Sequence, residues 1–239
     1  MTTAQLYEER DDDPVAKSLA TGIYGELEAM IINGVLGPGD RINEKSFADQ
    51  RGMSRGPIRE ACRRLEEAGL VEFKVNRGFF VRVLDLEDVL EIYDVRAALF
   101  SHAGRILARR IDNEQLEELA RLHEQMETAV VAGEADLFYT LNRLFHSRIM
   151  SFTRNRHLAD IYEGLDKELH IWRKRALILD GNVRASSDEH GLILEVLRNG
   201  NPSRIAQVLR DHSLAGRNRL LRTMPDQLAH LQTHWDEQD

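Results

Sequence analysis

The sequence predicts a mainly α-helical protein with one small β-hairpin, and three observations carry that expectation. Apolar residues recur at helical spacing over most of the 239 residues. Strand-like alternation appears in a single stretch, Val71 to Val83. Proline is scarce, with five in the whole chain, so long helices go uninterrupted. A chain of this length suits two modest domains, each able to bury a core. No apolar run approaches the ~20 residues of a membrane span, and the acidic start lacks a signal-peptide core. The lone cysteine, Cys62, excludes internal disulfides and fits a reducing cytoplasm. A formal charge of −8 argues against generalised nucleic-acid binding, although a local basic site stays open.

Taken in order, residues 1–14 read as a flexible acidic tail, and 15–84 as the first domain. Ala16 to Asn33 carries Leu19, Ile23, Leu27, Met30 and Ile31 at helical spacing, until three glycines and a proline break it before Asp40. Asn43 caps a short helix, Glu44 to Arg51, and Gly52 turns the chain into a second one. That second helix has Ser54 as its N-cap, Pro57 in its first turn and Gly69 at its stop. Its Arg55, Arg59 and Arg63 recur every four residues, a drift of only about 40° per step, so they share one face. Ile58, Ala61, Cys62, Leu65 and Ala68 fill an adjoining apolar face, where Cys62 reads as packing. The pair forms a helix-turn-helix, whose second helix enters the major groove through its N-terminal residues. From Arg51 to Arg82 there are eight bases and four acids, a local charge of +4. A merely solvated face, balanced by Glu60, Glu66 and Glu67, is the competing reading. The strands Val71–Lys74 and Phe79–Val83 flank Asn76-Arg77-Gly78, a hairpin that makes a wing.

Residues 85–224 read as an all-helical bundle with room for an internal cavity, and 225–239 as a tail. Helices are expected over Leu86–Arg110, Asn113–Ala132, Ala135–Phe152, His157–Leu179, Ser186–Arg198 and Pro202–Arg222. His146, His190 and His212 each continue an apolar stripe on a different helix. One inward histidine is usually a hydrogen-bonded core residue, whereas three on facing helices can converge on one metal ion. His102 falls in a stripe with Val95, Leu99 and Ile106, which leaves a core or cavity role open. Arg96 reads either as a salt bridge, with Asp94 or another helix, or as a fork holding a carboxylate. His123, His157, His170, His230 and His234 show no comparable convergence.

The stretch INEKSFADQRGMSRGPIREACRRLEEAGLVEFKVNRGFFV resembles the winged helix of the GntR family of bacterial transcription regulators. Its most specific part is the run from Ser54 to Ala61, Ser-Arg-x-Pro-x-Arg-Glu-Ala. DLEDVLEIYDVRAALF resembles the first helix of the FCD ligand-binding domain of the FadR branch, with Phe100 where the usual pattern has Glu. The resemblance implies a cytoplasmic regulator, read as a repressor, that binds a palindromic operator as a homodimer. It implies DNA contacts at Lys45, Ser54, Arg55, Arg59, Arg77 and Gly78. It also implies a divalent metal held by an Asp-x-x-x-His pair and two further histidines. Those positions are Asn142, His146, His190 and His212 here, with Asn142 replacing the usual Asp. Imidazole nitrogen favours zinc or nickel over magnesium, and a neutral ligand set favours an anionic effector. That effector is expected to be a small carboxylate or sugar acid, with Arg96 and His102 as candidate contacts. Two other readings compete: a regulator without metal, governed by partner contacts, and a metal-dependent hydrolase. Against the hydrolase, Glu189 and Asp211 directly precede His190 and His212 and so point about 100° away from them.

Overall fold

The computed structural model describes residues 14–179 and 181–223. The expected tails, 1–14 and 225–239, lie outside the described residues apart from Pro14, where the first helix begins. The order is α1 (Pro14–Ile32), α2 (Glu44–Arg51), α3 (Arg55–Glu67), β1 (Val71–Lys74), β2 (Gly78–Val81), then helices alone. These are α4 (Leu86–Leu107), α5 (Asn113–Ala132), α6 (Ala135–Phe152), α7 (Arg156–Leu177), α8 (Asn182–Asn199) and α9 (Pro202–Leu221). The chain divides between Val83 and Leu84 into two compact units. No described helix is long and apolar enough to cross a membrane.

In the first unit, local chemistry sets the ends of the elements. The Asn43 side chain accepts the Ser46 N–H at the start of α2, and Gly52 closes that helix at φ 63°. Ser54 stands at the N-cap of α3, yet its hydroxyl makes no capping hydrogen bond. Ile58, Ala61, Cys62 and Leu65 are fully buried on one side of α3, sharing a core with Ile23, Leu27 and Ile31 of α1. β1 and β2 pair antiparallel, Val71 opposite Val81 and Lys74 opposite Gly78. The segment before α2 adds a short third edge, which a sequence pattern is too brief to reveal. Arg41 bridges Phe80 there, and the Ile42 N–H donates to the Phe79 carbonyl at 2.9 Å.

The second unit is a bundle whose main core draws on all six helices, α4 to α9, around residues such as Phe100, Phe138, Phe145 and Leu209. α4 and α9 approach closely at Gly104. A Cβ there would meet the Leu209 side chain at 3.0 Å and the backbone of Ile205 and Ala206 at 3.2 Å. α8 begins at Asn182, earlier than the expected Ser186; its first turn, Asn182 to Ala185, holds no large apolar residue but Val183, so apolar spacing does not reveal it. The Asn182 side chain donates to the Ala176 carbonyl at 2.8 Å and ties the start of α8 to the end of α7. α4 ends at Leu107, short of the expected Arg110, as the N–H groups of Arg109 and Arg110 bond three residues back.

Candidate functional site

Helical spacing places Asn142 and His146 one turn apart on the buried face of α6, and Ser186 and His190 one turn apart on α8. α9 brings His212 to the same point. The Nε2 atom of His146 lies 3.0 Å from Nε2 of His190 and 2.9 Å from Nε2 of His212. All three rings are buried.

The outer nitrogens fix the state of two rings. His190 Nδ1 faces the Ser186 carbonyl, and His212 Nδ1 faces the Glu189 carboxylate at 2.7 Å. Both partners only accept, so each Nδ1 carries the proton and each Nε2 offers a bare lone pair. Burial, and secondarily the neighbouring His212, holds His146 and His190 well below the usual imidazole pKa. Burial also lowers His212, despite the Glu189 hydrogen bond. His146 differs: its Nδ1 faces the Arg173 guanidinium at 3.5 Å, which only donates, so its Nε2 bears the proton between the two bare Nε2 atoms. A metal ion would displace that proton and take all three nitrogens.

Asn142 fits the same purpose. Its Nδ2 donates to Ser186 Oγ at 3.2 Å, while its Oδ1 is buried without a hydrogen-bond partner. A buried acceptor left unmade is costly, and a cation among three nitrogens and one amide oxygen removes that cost. The donor set suits zinc or nickel. Phe100, at the position where Glu was expected, turns an apolar ring toward the cluster, its centroid 5.2 Å from that of His146 and 6.2 Å from that of His212.

Beside the histidines lies a cavity of about 30 Å³, whose charged lining residues are Arg96, Arg173 and Arg219, with no carboxylate among them. Arg96 does not pair with Asp94, which bonds Arg217 instead. It is buried, with Nη1 on Asp166 at 3.1 Å, Nη2 on the Tyr162 hydroxyl at 2.9 Å and Nε unpartnered. Asp166 also takes Arg143 at 2.9 Å and Arg173. Burial alone would raise the Asp166 carboxyl, but Arg173, Arg96 and Arg143 together hold it below the ordinary carboxylate range. Burial likewise opposes ionisation of Glu189, where hydrogen bonds from His212 and Arg219 prevail and bring it to about 2.

His102 requires a correction. It is exposed and lines a separate groove, because the buried stripe of α4 runs through Arg96, Ala97, Phe100, Ala103 and Leu107. The stripe it was assigned to is the flank of the helix, where Val95 is 47% exposed.

In the first unit, Lys45, Ser54, Arg55, Arg59 and Arg77 are exposed, and Gly78 adopts φ 94° at the wing. Glu44 connects these parts. Its carboxylate lies 4.0 Å from Arg59 Nη1, and a Cβ on Gly78 would sit 3.6 Å from it and 3.7 Å from the Arg41 guanidinium. Two of the eight bases face elsewhere. Arg51 pairs with Glu26 of α1, while Arg64 donates to Thr21 at 3.0 Å and stacks over Tyr24. Cys62 is buried, and desolvation pushes its thiol up to about 12.

Residues 19–81 match the family described as "Bacterial regulatory proteins, gntR family", and residues 91–216 match the FCD domain. The chain belongs to the GntR family. It is 35% identical over 190 residues to the HTH-type transcriptional regulator YdhC of Bacillus subtilis, spanning 79% of this chain and 85% of that one. It is 29% identical over 140 residues to the gluconate operon transcriptional repressor of Bacillus licheniformis, covering 59% and 57% of the two chains. The solved structure of E. coli McbR/YncC has the same fold, with a TM-score of 0.74 at 22% identity over 86% of this chain and 98% of that one. This GntR chain is therefore a DNA-binding transcription regulator, and the proteins it resembles are regulators rather than enzymes.

Asp166, Arg173 and Arg219 carry no expectation from the sequence. A signal existed for the first two. Asp166 and Arg173 lie seven residues apart, two turns along α7, and interrupt its apolar stripe with charge. Glu189 was placed away from the histidines, and it does point away from His190, but it meets His212 across the helix interface.

Proposed function

We propose that this GntR regulator is a metabolite-responsive repressor that binds a palindromic operator as a homodimer and senses a small carboxylate or sugar acid beside a divalent metal ion. Residues 15–84 serve as the DNA-binding domain and 85–224 as the effector and dimerisation domain. Operator contacts fall to Lys45, Ser54, Arg55, Arg59, Arg77 and Gly78. Exposed arginine suits both guanine edges and phosphate, and glycine lets the wing backbone approach the groove.

The observation that carries the sensing half is the convergence of three Nε2 atoms, with the unpartnered Asn142 Oδ1 lining the same cavity. His146, His190, His212 and Asn142 would hold zinc or nickel, which supplies a Lewis-acidic position for one effector oxygen. Arg96, Arg173 and Arg219 add positive charge around it, and Arg96 Nε has a hydrogen bond to give. The relative named for the gluconate operon supports a sugar acid as one candidate. A cavity of about 30 Å³ is far smaller than such a ligand. Its entry must part α7 from α8 and α9, and that displacement is the means of coupling to DNA. A differential affinity of about 1–3 kcal/mol between DNA-competent and incompetent states suffices.

Untagged protein should carry one equivalent of zinc or nickel per chain, lost in His190→Ala. Calorimetry with gluconate and smaller carboxylates, with and without operator, should show reciprocal affinity shifts. Stoichiometric metal in His190→Ala, or equal effector affinity in both DNA states, would overturn the reading.

A further inference from the structure

Away from the histidine cluster, the end of α4, the α6–α7 turn and the start of α9 enclose an open groove of about 880 Å³. Its basic lining consists of Arg105 of α4, Arg109 and Arg110 just beyond its end, Arg154 of the α6–α7 turn and Arg156 at the start of α7. No carboxylate lines it. Among the described residues, none of these five arginines forms an ion pair; Arg175, Arg198, Arg204, Arg210 and Arg222 of the same unit form none either, but they do not line the groove. In a chain with 40 acids and 32 lysines and arginines, what sets these five apart is that they gather around one concavity that no carboxylate lines. We propose that this groove binds a multiply phosphorylated small molecule.

A second, independent feature lies in the turn. Arg154 has φ 55°, a left-handed conformation that glycine or asparagine adopts with less strain. The turn is held in place, since the Thr153 hydroxyl donates to the Met150 carbonyl at 2.6 Å and accepts the Asn155 N–H at 3.2 Å. The chain thus keeps an arginine where its backbone disfavours one, and directs that side chain at the groove.

The chemistry narrows the ligand. A volume near 880 Å³ is that of a small-molecule site, yet Ile106 and Pro202 are almost its sole apolar lining. Charge rather than apolar contact must hold the occupant. Guanidinium forks pair with phosphate oxygens through two parallel hydrogen bonds. A single carboxylate would answer one arginine of five, while two or three linked phosphates answer most of them. The imidazoles of His102 and His157 stand on the same rim. The first N–H groups of α9, at Ser203 and Arg204, are already taken by Asn201 Oδ1, so the side chains carry the recognition. A duplex backbone presents its phosphates on a broad convex surface, whereas this groove is concave, which favours a compact ligand.

The test is calorimetric titration of the full chain with inorganic tripolyphosphate at fixed ionic strength. Wild type should bind one equivalent saturably. Arg109→Ala/Arg154→Gly should weaken binding by about tenfold or more, as should the milder pair Arg105→Gln/Arg156→Gln. Arg121→Ala/Arg148→Ala removes the same charge at paired sites elsewhere and should leave affinity unchanged. Ligand-free melting curves establish that each variant is folded. Absence of saturable binding, or equal loss in the control pair, overturns the proposal. So does a groove variant that loses affinity for a non-operator duplex while tripolyphosphate fails to bind wild type, which would mark the groove as a DNA-backbone contact.

Discussion

Glu189 Oε2 accepts the Nδ1–H of His212 at 2.7 Å, and the two Glu189 oxygens take Arg219 hydrogen bonds at 2.6 and 3.0 Å. One carboxylate thereby orients an imidazole of the cluster and anchors an arginine of the cavity wall. Glu189→Gln keeps an acceptor but removes the charge that raises the basicity of His212. Zinc affinity should fall by about 10–100-fold, measured by competition with a chelating dye. An unchanged affinity would place His212 outside the coordination sphere.

Asn142→Asp tests the unpartnered amide oxygen. The Ser186 hydroxyl can rotate to donate to the new carboxylate, so the local packing survives. Metal affinity should rise by about tenfold or more, because a charged oxygen replaces a neutral one. Affinity for an anionic effector should move the opposite way. Equal zinc binding by the two proteins would show that position 142 does not ligate.

Stability should fall with acid, and the sign follows from the histidines. Burial brings His170 down to about 4, holds His146 and His190 well below the usual value, and lowers His212. An unfolded chain protonates these rings below about pH 6.5 while the folded chain does not. Their contribution is therefore complete above that pH and declines as pH drops toward about 4 for His170. Asp166, whose carboxyl is depressed, adds a second loss below about pH 4. Urea midpoints for apo wild type should decrease steadily across this range. His170→Gln should flatten the first part of the slope and Asp166→Asn the second. Asp166→Asn should also cost about 3–5 kcal/mol near neutrality by leaving buried guanidinium charge unpaired.

Operator binding separates the arginines. Arg59→Ala should cost about 1–3 kcal/mol at the specific site, read by fluorescence anisotropy. Lys45→Ala should weaken binding to all sequences and flatten its salt dependence. Arg51→Ala should leave specific affinity within about 0.5 kcal/mol, since that side chain faces Glu26 of α1. A loss at Arg51 equal to that at Arg59 would contradict the surface drawn here.

Gly104 sets how closely α4 and α9 approach. Gly104→Val places a branched side chain where even one carbon would meet backbone at 3.2 Å. It should destabilise the helical unit by about 1–3 kcal/mol in urea unfolding, with no direct effect on the winged helix.

The ends of α2 and α3, the hairpin and the three histidine stripes were legible in the sequence because each depends on neighbours within one or two turns. Asn43, Gly52 and Gly69 act on their own backbone, and His146, His190 and His212 betray themselves by position in an apolar repeat. That their Nε2 atoms stand about 3 Å apart was decided by how α6, α8 and α9 pack. α4 shows the limit most clearly. Two adjoining stripes, one through Arg96 and Phe100 and one through Val95 and His102, have similar periodicity, and the tertiary neighbours alone choose which is buried. Arg96 with Asp166 spans 70 positions, and Glu189 with His212 spans 23. Pairing at such separations leaves no periodic trace in a single chain, so the charged shell of the cavity belongs to the tertiary structure. The sequence by itself determined the elements and their buried histidines, through local hydrogen bonding and apolar spacing, and packing determined what those histidines face.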